Sequence, residues 1–308
     1  MRELIEQYNA LNNSFQKKLV FHLGADAGFF SEYNNMILAL LYCLENKIKF
    51  TLYSKDANFG YDKGWTDYFL PFCEEEDSRF HAKYNFRYPG IFKKWRPQVI
   101  IYHLFNRNSL LTFEVMNQAR NRQLEQTHFY IPEVGIDGSL QDACRTLIDL
   151  TWRYNPQTQH KVEQLITSLH LPENYTGFHI RSGDKSKEAA LLDVAKYTEK
   201  AQRYSPTPNA FVLTDDYRII EDFRSQMKVW TVYTLCKKEE RGYFHTDFQK
   251  KDTGFIRESH ENLLASMDIL SKSNIFVGTF SSNPGMYLGM RMPAGTAFGV
   301  DLEQWQIW

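Results

Sequence analysis

Three times in its second half the chain runs through a short apolar stretch, breaks at small or charged residues, and enters a helix-like pattern. The first is Tyr175–Lys185, YTGFHIRSGDK, where Thr176 and Ile180 lie in the apolar run and His179, Arg181, Ser182, Gly183, Asp184 and Lys185 follow or interrupt it. The second, Ala210–Asp216, AFVLTDD, ends in paired carboxylates before YRIIEDFRSQM. The third, Asn274–Val277, breaks at Gly278 into Thr279, Phe280, Ser281 and Ser282, and an amphipathic stretch follows. Buried strands that each open into a polar turn and then a helix describe one face of a parallel sheet, the α/β class. In such sheets ligands dock at the carboxyl ends of the strands. A guanidinium at that place, Arg181, suits a phosphate, because its planar fork donates parallel charged hydrogen bonds. The plain alternative is an Arg–Asp ion pair closing a surface turn.

The first half alternates in the same way. KLVFHLG reads as a strand and residues 29–47 as a helix with a broad apolar face; IKFTLYS, PQVIIYHL and HFYIP read as further strands. Between the first two of these three lies an aromatic, charge-rich region, roughly residues 56–95, with little period; long irregular stretches in enzymes are often functional. Residues 139–171 are helical on either side of Pro156, which breaks the pattern. A chain of 308 residues can bury a large core and reads as two domains, 1–172 and 173–308, with the final AFGVDLEQWQIW packing back on the body.

Charge removes several classes of partner. A net charge of −1 and an isoelectric point near 6.8 argue against a nucleic-acid or anionic-membrane surface. No run approaches the roughly 18 apolar residues of a membrane span. The polar, helix-like MRELIEQYNALNNSFQKK is not a signal peptide. Cys43, Cys73, Cys144 and Cys236 are far apart, with no CxxC and no Cys/His cluster, so they read as free thiols of a reducing compartment, without a metal site. Cytoplasmic localisation is the expectation.

HIRSGDK, EAA, TDD and TFSS, in that order and at similar spacing, resemble the core α1,6-fucosyltransferases of N-glycan processing and the related nodulation-factor fucosyltransferases. FHLGADAGFFSEYNNMILALLYCL and FTLYSKDANFGYDKGWTDYFLPF resemble the family's glycine-bearing loop with its first helix and its strand with an aromatic loop. The resemblance covers most of residues 18–290. It implies a GT-B-like fold, two Rossmann-like α/β domains facing across a cleft, with the N-terminal domain on the acceptor side and the nucleotide sugar on the C-terminal domain. It also implies inverting, metal-independent transfer of fucose from GDP-fucose to a glycan, N-acetylglucosamine-containing in the family. No cofactor is expected beyond that donor. Consistent with this, no DxD metal motif occurs at the strand ends: Asp215-Asp216 is adjacent and Asp184 isolated, so Arg181 stands where a metal would neutralise the diphosphate.

The same resemblance assigns roles. Arg181 neutralises the leaving diphosphate, and Thr279, Ser281 and Ser282 seat it, as backbone N–H groups at a helix N-terminus can; plain N-capping uses the same geometry. His179 contacts guanine or packs beneath it. Of Asp215 and Asp216, one is expected to cap the following helix and the other to act on the donor. Asp268 falls two residues out of register, with Ser266 at the matching place; Tyr197 matches a family tyrosine or is core. Lys185 and Glu188 are the expected acid–base pair, because inverting transfer wants a carboxylate able to take the acceptor proton; a solvated charge run at a helix start is the alternative. Gly24 and Gly28 would let backbone approach a ligand, and Tyr61 and Trp65 would stack on base or sugar. One departure stands out: the family's usual second arginine is Ser182. Another nucleotide sugar on the same fold, or a non-catalytic nucleotide-sugar-binding protein, are the competing readings; Lys185 and Glu188 argue against the latter, since binding alone needs no base.

Overall fold

The computed structural model describes residues 2–24, 27–85, 97–120, 124, 127–182, 193–243, 248 and 250–307. They fall into two units, Met1–Asn155 and Pro156–Trp308. The division lies at Pro156 instead of 172/173, because the helix that begins there packs on a helix of the second unit.

In the first unit, helix α1 (Arg2–Ser14) leads into strand β1 (Lys17–His22), helix α2 (Phe29–Glu45) and strand β2 (Ile48–Tyr53). Then come α3 (Phe80–Tyr84), α4 (Pro97–Phe105), β3 (Ser109–Leu110) and α5 (Thr112–Arg120), followed by β4 (Phe129–Ile131), β5 (Ile136–Gly138) and α6 (Leu140–Thr151). Strands β2, β1 and β3 form a parallel sheet in that order, and β4 and β5 an antiparallel pair. Buried along nearly its whole circumference, α2 is the central helix, packed on α5, α6 and the sheet. Its Phe29 and Tyr33 meet Trp65, Phe69 and Trp152 in an aromatic cluster; Trp65 stacks on Phe69 with centroids 4.2 Å apart. Offset and edge contacts of this kind add about 0.5–1.5 kcal/mol per pair beyond area burial. Helix α6 starts in a capping box, Ser139 and Asp142 satisfying each other's backbone N–H groups.

PQVIIYHL is helical, not a strand: α4 begins at Pro97, which suits a first helical turn because its missing N–H has no intrahelical partner. The helix leaves Ile100, Leu104 and Phe105 exposed.

The second unit opens with α7 (Pro156–Ser168) and β6 (Thr176–His179). It continues through α8 (Val194–Gln202), β7 (Asn209–Leu213), α9 (Tyr217–Gln226), β8 (Thr231–Tyr233), α10 (Thr253–Ser271), β9 (Ile275–Gly278), α11 (Asn283–Arg291) and β10 (Ala297–Gly299). Among the described residues the strands form one parallel sheet, order β10-β9-β6-β7-β8. Every residue of β6 is buried. Gly177 is the residue that admits α10 to the sheet: a Cβ there would lie 2.8 Å from Ser273 Oγ and 2.9 Å from a Leu270 methyl. Phe178, Val212, Ile220, Phe223, Trp230 and Val277 make the core beneath, each large side chain contributing about 1.5–3 kcal/mol by leaving water.

Candidate functional site

The first strand of the second sheet, β6, lies between β7 and β9, and the chain builds outward on one side through β8 before crossing to the other. The strand order reverses at β6 and β9, and beyond their carboxyl ends a parallel sheet of this type leaves a crevice. His179–Ser182 leave β6 there, and Thr279–Ser282 leave β9. The structure thus brings the three blocks singled out in the sequence to the ends of adjacent strands, β7 delivering Asp215 and Asp216 beside the other two.

His179 is buried, and among the described residues its Nδ1 has no hydrogen-bond partner. Burial, helped by the Arg181 guanidinium, lowers its pKa to about 3, so the imidazole is neutral. On β9's side the Thr279 hydroxyl oxygen is likewise buried and, among the described residues, without a partner. Natural interiors rarely leave such atoms unmet, and these two lie at the ends of neighbouring strands, where a ligand's polar atoms could meet them.

Arg181 holds its guanidinium carbon 5.8 Å from the ring centroid of Tyr243, a residue the sequence did not single out. Asp215 organises this pair. Its carboxylate accepts from the backbone N–H of Ser182 at 2.8 Å and of Tyr243 at 2.9 Å, so one side chain fixes both the residue after Arg181 and the ring beside it. Asp216 caps α9 through the Arg218 N–H and takes the Arg218 guanidinium, which holds its carboxyl below the usual range. Ser182, in place of an arginine, is buried, and its hydroxyl lies 3.5 Å from Asp216. One aspartate caps and the other fastens two loops.

At the third block the backbone donors are occupied by the protein. Ser282 caps α11, its hydroxyl accepting from Gly285 N–H and donating to the Thr279 carbonyl. Ser282 N–H also returns to Thr279, while the N–H groups of Phe280 and Ser281 point at the Asp301 carboxylate, 2.8 and 3.0 Å away. Ser281 itself is exposed. Asp268 bonds Arg291 at 2.7 Å and so ties α10 to α11, Ser266 bonds back to its own helix, and Tyr197 is core. Lys185, Glu188 and Asp184 lie outside the described residues.

In the first unit, Trp65 is fully buried in the aromatic cluster and has no face for base or sugar. Gly24 has φ +84° and a Cβ there would meet Ala57 and Phe59 at 2.7 Å, so packing explains it without a ligand. Gly28 precedes α2 beside open space. Tyr61 donates its hydroxyl to the Asp67 carbonyl, and the Asp67 carboxylate accepts from four consecutive backbone N–H groups, Tyr61 to Gly64. The loop so held presents Asp62 and Lys63 to a cavity of about 500 Å³, completed by Tyr53, Lys55, Asp56, Asp77, Arg79 and Ala82. Lys55 pairs with Asp77, and Asp56 with His22.

Residues 4–284 match the family of alpha-(1,6)-fucosyltransferase N- and catalytic domains, and the chain belongs to that family. Its fold is similar to solved GT-B-type enzymes. The NodZ alpha-1,6-fucosyltransferase soaked with GDP-fucose superposes with a TM-score of 0.55 at 14% identity, over 90% of this chain and 93% of that one. The fucosyltransferase NodZ from Bradyrhizobium gives 0.55 at 13% identity, over 90% and 94%. NodZ co-crystallised with GDP gives 0.54 at 13%, over 90% and 93%. No curated protein matches the sequence. Among the described residues no helix is long and apolar enough to cross a membrane.

Proposed function

We propose that the protein transfers fucose from GDP-fucose to a glycan acceptor, with inversion and without a metal. The observation that carries the donor half is the edge at β6 and β9, where Arg181, the orphaned His179 nitrogen and the orphaned Thr279 hydroxyl converge on the ends of neighbouring strands. The NodZ structures with GDP-fucose and GDP support the same donor. Arg181 offers the charge that stabilises a departing diphosphate, and Asp215 holds it in place through the two loops. Neutral His179 offers a ring nitrogen to the base.

The acceptor belongs in this reading to the first unit. Its cavity mixes three cations with three carboxylates, a lining that suits sugar hydroxyls, which donate and accept at once. Glu188 takes the proton of the attacking hydroxyl, Lys185 assisting; this rests on the DKSKEAA sequence alone. Cytoplasmic localisation remains part of the proposal, on the free thiols. Glu188→Gln tests the chemistry. It keeps size and hydrogen bonding but cannot take a proton, so GDP binding stays near that of the parent while transfer to N-acetylglucosamine oligomers falls by roughly 10²–10⁴-fold. Near-parent transfer would move the base elsewhere. Ser182 favours a second reading, another nucleotide sugar on the same site, and turnover of a different donor at a higher rate would establish it.

A further inference from the structure

Two adjacent N–H groups at the head of the candidate donor site are satisfied from far along the chain. The turn between β9 and α11 carries backbone donors that could face an incoming anion on Phe280, Ser281 and Ser282. Ser282 N–H is bound within the turn, to Thr279. Phe280 and Ser281 have no such local acceptor: both donate to Asp301, one to each carboxylate oxygen. Asp301 also accepts from Leu302 N–H at 3.0 Å.

The segment carrying Asp301 is fastened on both sides of it. Val300 N–H bonds the Gly278 carbonyl, extending the β9–β10 pairing to the strand end. Gly299 lies so close to Phe280 that a Cβ would come within 2.6 Å of the ring. Beyond Asp301, Glu303 pairs with Lys200 at 2.8 Å, and Trp305 donates to the Met286 carbonyl while filling the space over Gly289. A carboxylate on an exposed residue is thus delivered to one place, the backbone of the turn.

We infer that Asp301 is a positioning residue for the donor: by holding the Phe280 and Ser281 N–H groups it sets the β9–α11 turn in the shape that presents Thr279, Ser281 and the start of α11 to the diphosphate. The inference rests on the GDP-fucose reading. It acts through the turn, without contact between Asp301 and the donor.

Calorimetry with GDP, at matched pH and salt, tests it on the full chain. Asp301→Ala weakens GDP binding about tenfold or more, as expected for losing two charge-assisted hydrogen bonds that shape a site. Asp301→Asn keeps one acceptor oxygen and recovers part of the loss. In transfer assays the KM for GDP-fucose rises more than kcat falls. Glu303→Gln loosens the same tail without touching the turn and leaves GDP affinity unchanged; a merely structural role would lower the melting temperature in all three and shift GDP affinity in none. Unchanged GDP binding in Asp301→Ala, or in Asp301→Asn if the alanine protein does not fold, overturns the inference. Tighter binding overturns it too, and makes the carboxylate a competitor of the diphosphate. A parent protein that binds no GDP overturns the donor reading and this inference with it, whereas a parent that binds and an Asp301→Ala protein that binds equally overturn this inference alone.

Discussion

Arg181 is the residue on which the donor reading turns, and its surroundings give the mutation a sharp expectation. Asp215 fixes the backbone on both sides of the contact with Tyr243, so Arg181→Ala removes the charge without releasing the loops. GDP affinity should fall by roughly 2–4 kcal/mol, and Arg181→Lys should recover only part, because an ammonium cannot reproduce the two parallel bonds of the fork. Titration calorimetry reads both; an Arg181→Ala protein with parent affinity returns the residue to a surface role. Arg181 and His179 stand out in the sequence because they lie at the carboxyl end of a buried run, where ligands of parallel sheets dock; their part in holding the donor belongs to the proposal. Asp215 was legible as chemistry but not as a fastener, since its partners at Ser182 and Tyr243 are distant in the chain. Asp301 carried no signal at all, its hydrogen bonds spanning about twenty residues to a turn that exists only once β9 and β10 have paired.

Elements were legible where burial imposes a pattern. Strands β1, β2, β6, β7 and β9 are runs of four to six residues shielded by helices, and each was readable. Of the strands of two or three residues, β4 falls within the readable HFYIP, while β3, β5, β8 and β10 are too short to show a period. PQVIIYHL misleads because Val99, Ile100 and Ile101 favour strands, while Pro97 and the local packing favour a helix. The GYDKGW loop runs into one 3-10 turn, Gly64–Asp67, and its order comes from Asp67. Asp67→Ala strands four backbone N–H groups at once, and each hydrogen bond to a charged group is worth about 1.5–3 kcal/mol, not additively. Chemical denaturation should show a loss of at least about 2 kcal/mol confined to the first unit, with GDP affinity of the folded fraction unchanged. A loss of GDP affinity in that variant would contradict the assignment of the donor to the second unit.

At the scale of the molecule, single buried groups in the two units should pull the pH dependence of stability in opposite directions. In the second unit His179 and His260 are neutral when folded, burial lowering their pKa values to about 3 and about 4 from the ordinary 6.5. The unfolded chain therefore binds protons first as pH falls below 6.5, and stability drops from there toward the folded values, by up to about 1.4 kcal/mol per pH unit for each group. In the first unit burial, then Asp77 and Asp67, raises Glu75 from 4.5 to about 7. Its contribution is complete below 4.5 and is lost as pH rises through 7. Denaturation of His260→Phe should lose less stability between pH 6.5 and 5 than the parent, and Glu75→Gln should gain on the parent at pH 8; parallel curves in either pair would contradict the burial of that group.

The family fixes a fucosyltransferase, and the fold supplies a strand-order reversal with Arg181 at its edge; the claim joining them is that this edge holds GDP-fucose without a metal. Thermal protection in the presence of EDTA measures that directly. GDP and GDP-fucose should raise the melting temperature more than UDP or CMP at equal concentration, since a ligand at a hundred times its dissociation constant adds about 2.7 kcal/mol. Stronger protection by uridine nucleotides, or protection by GDP only after Mg²⁺ or Mn²⁺ is restored, would contradict it.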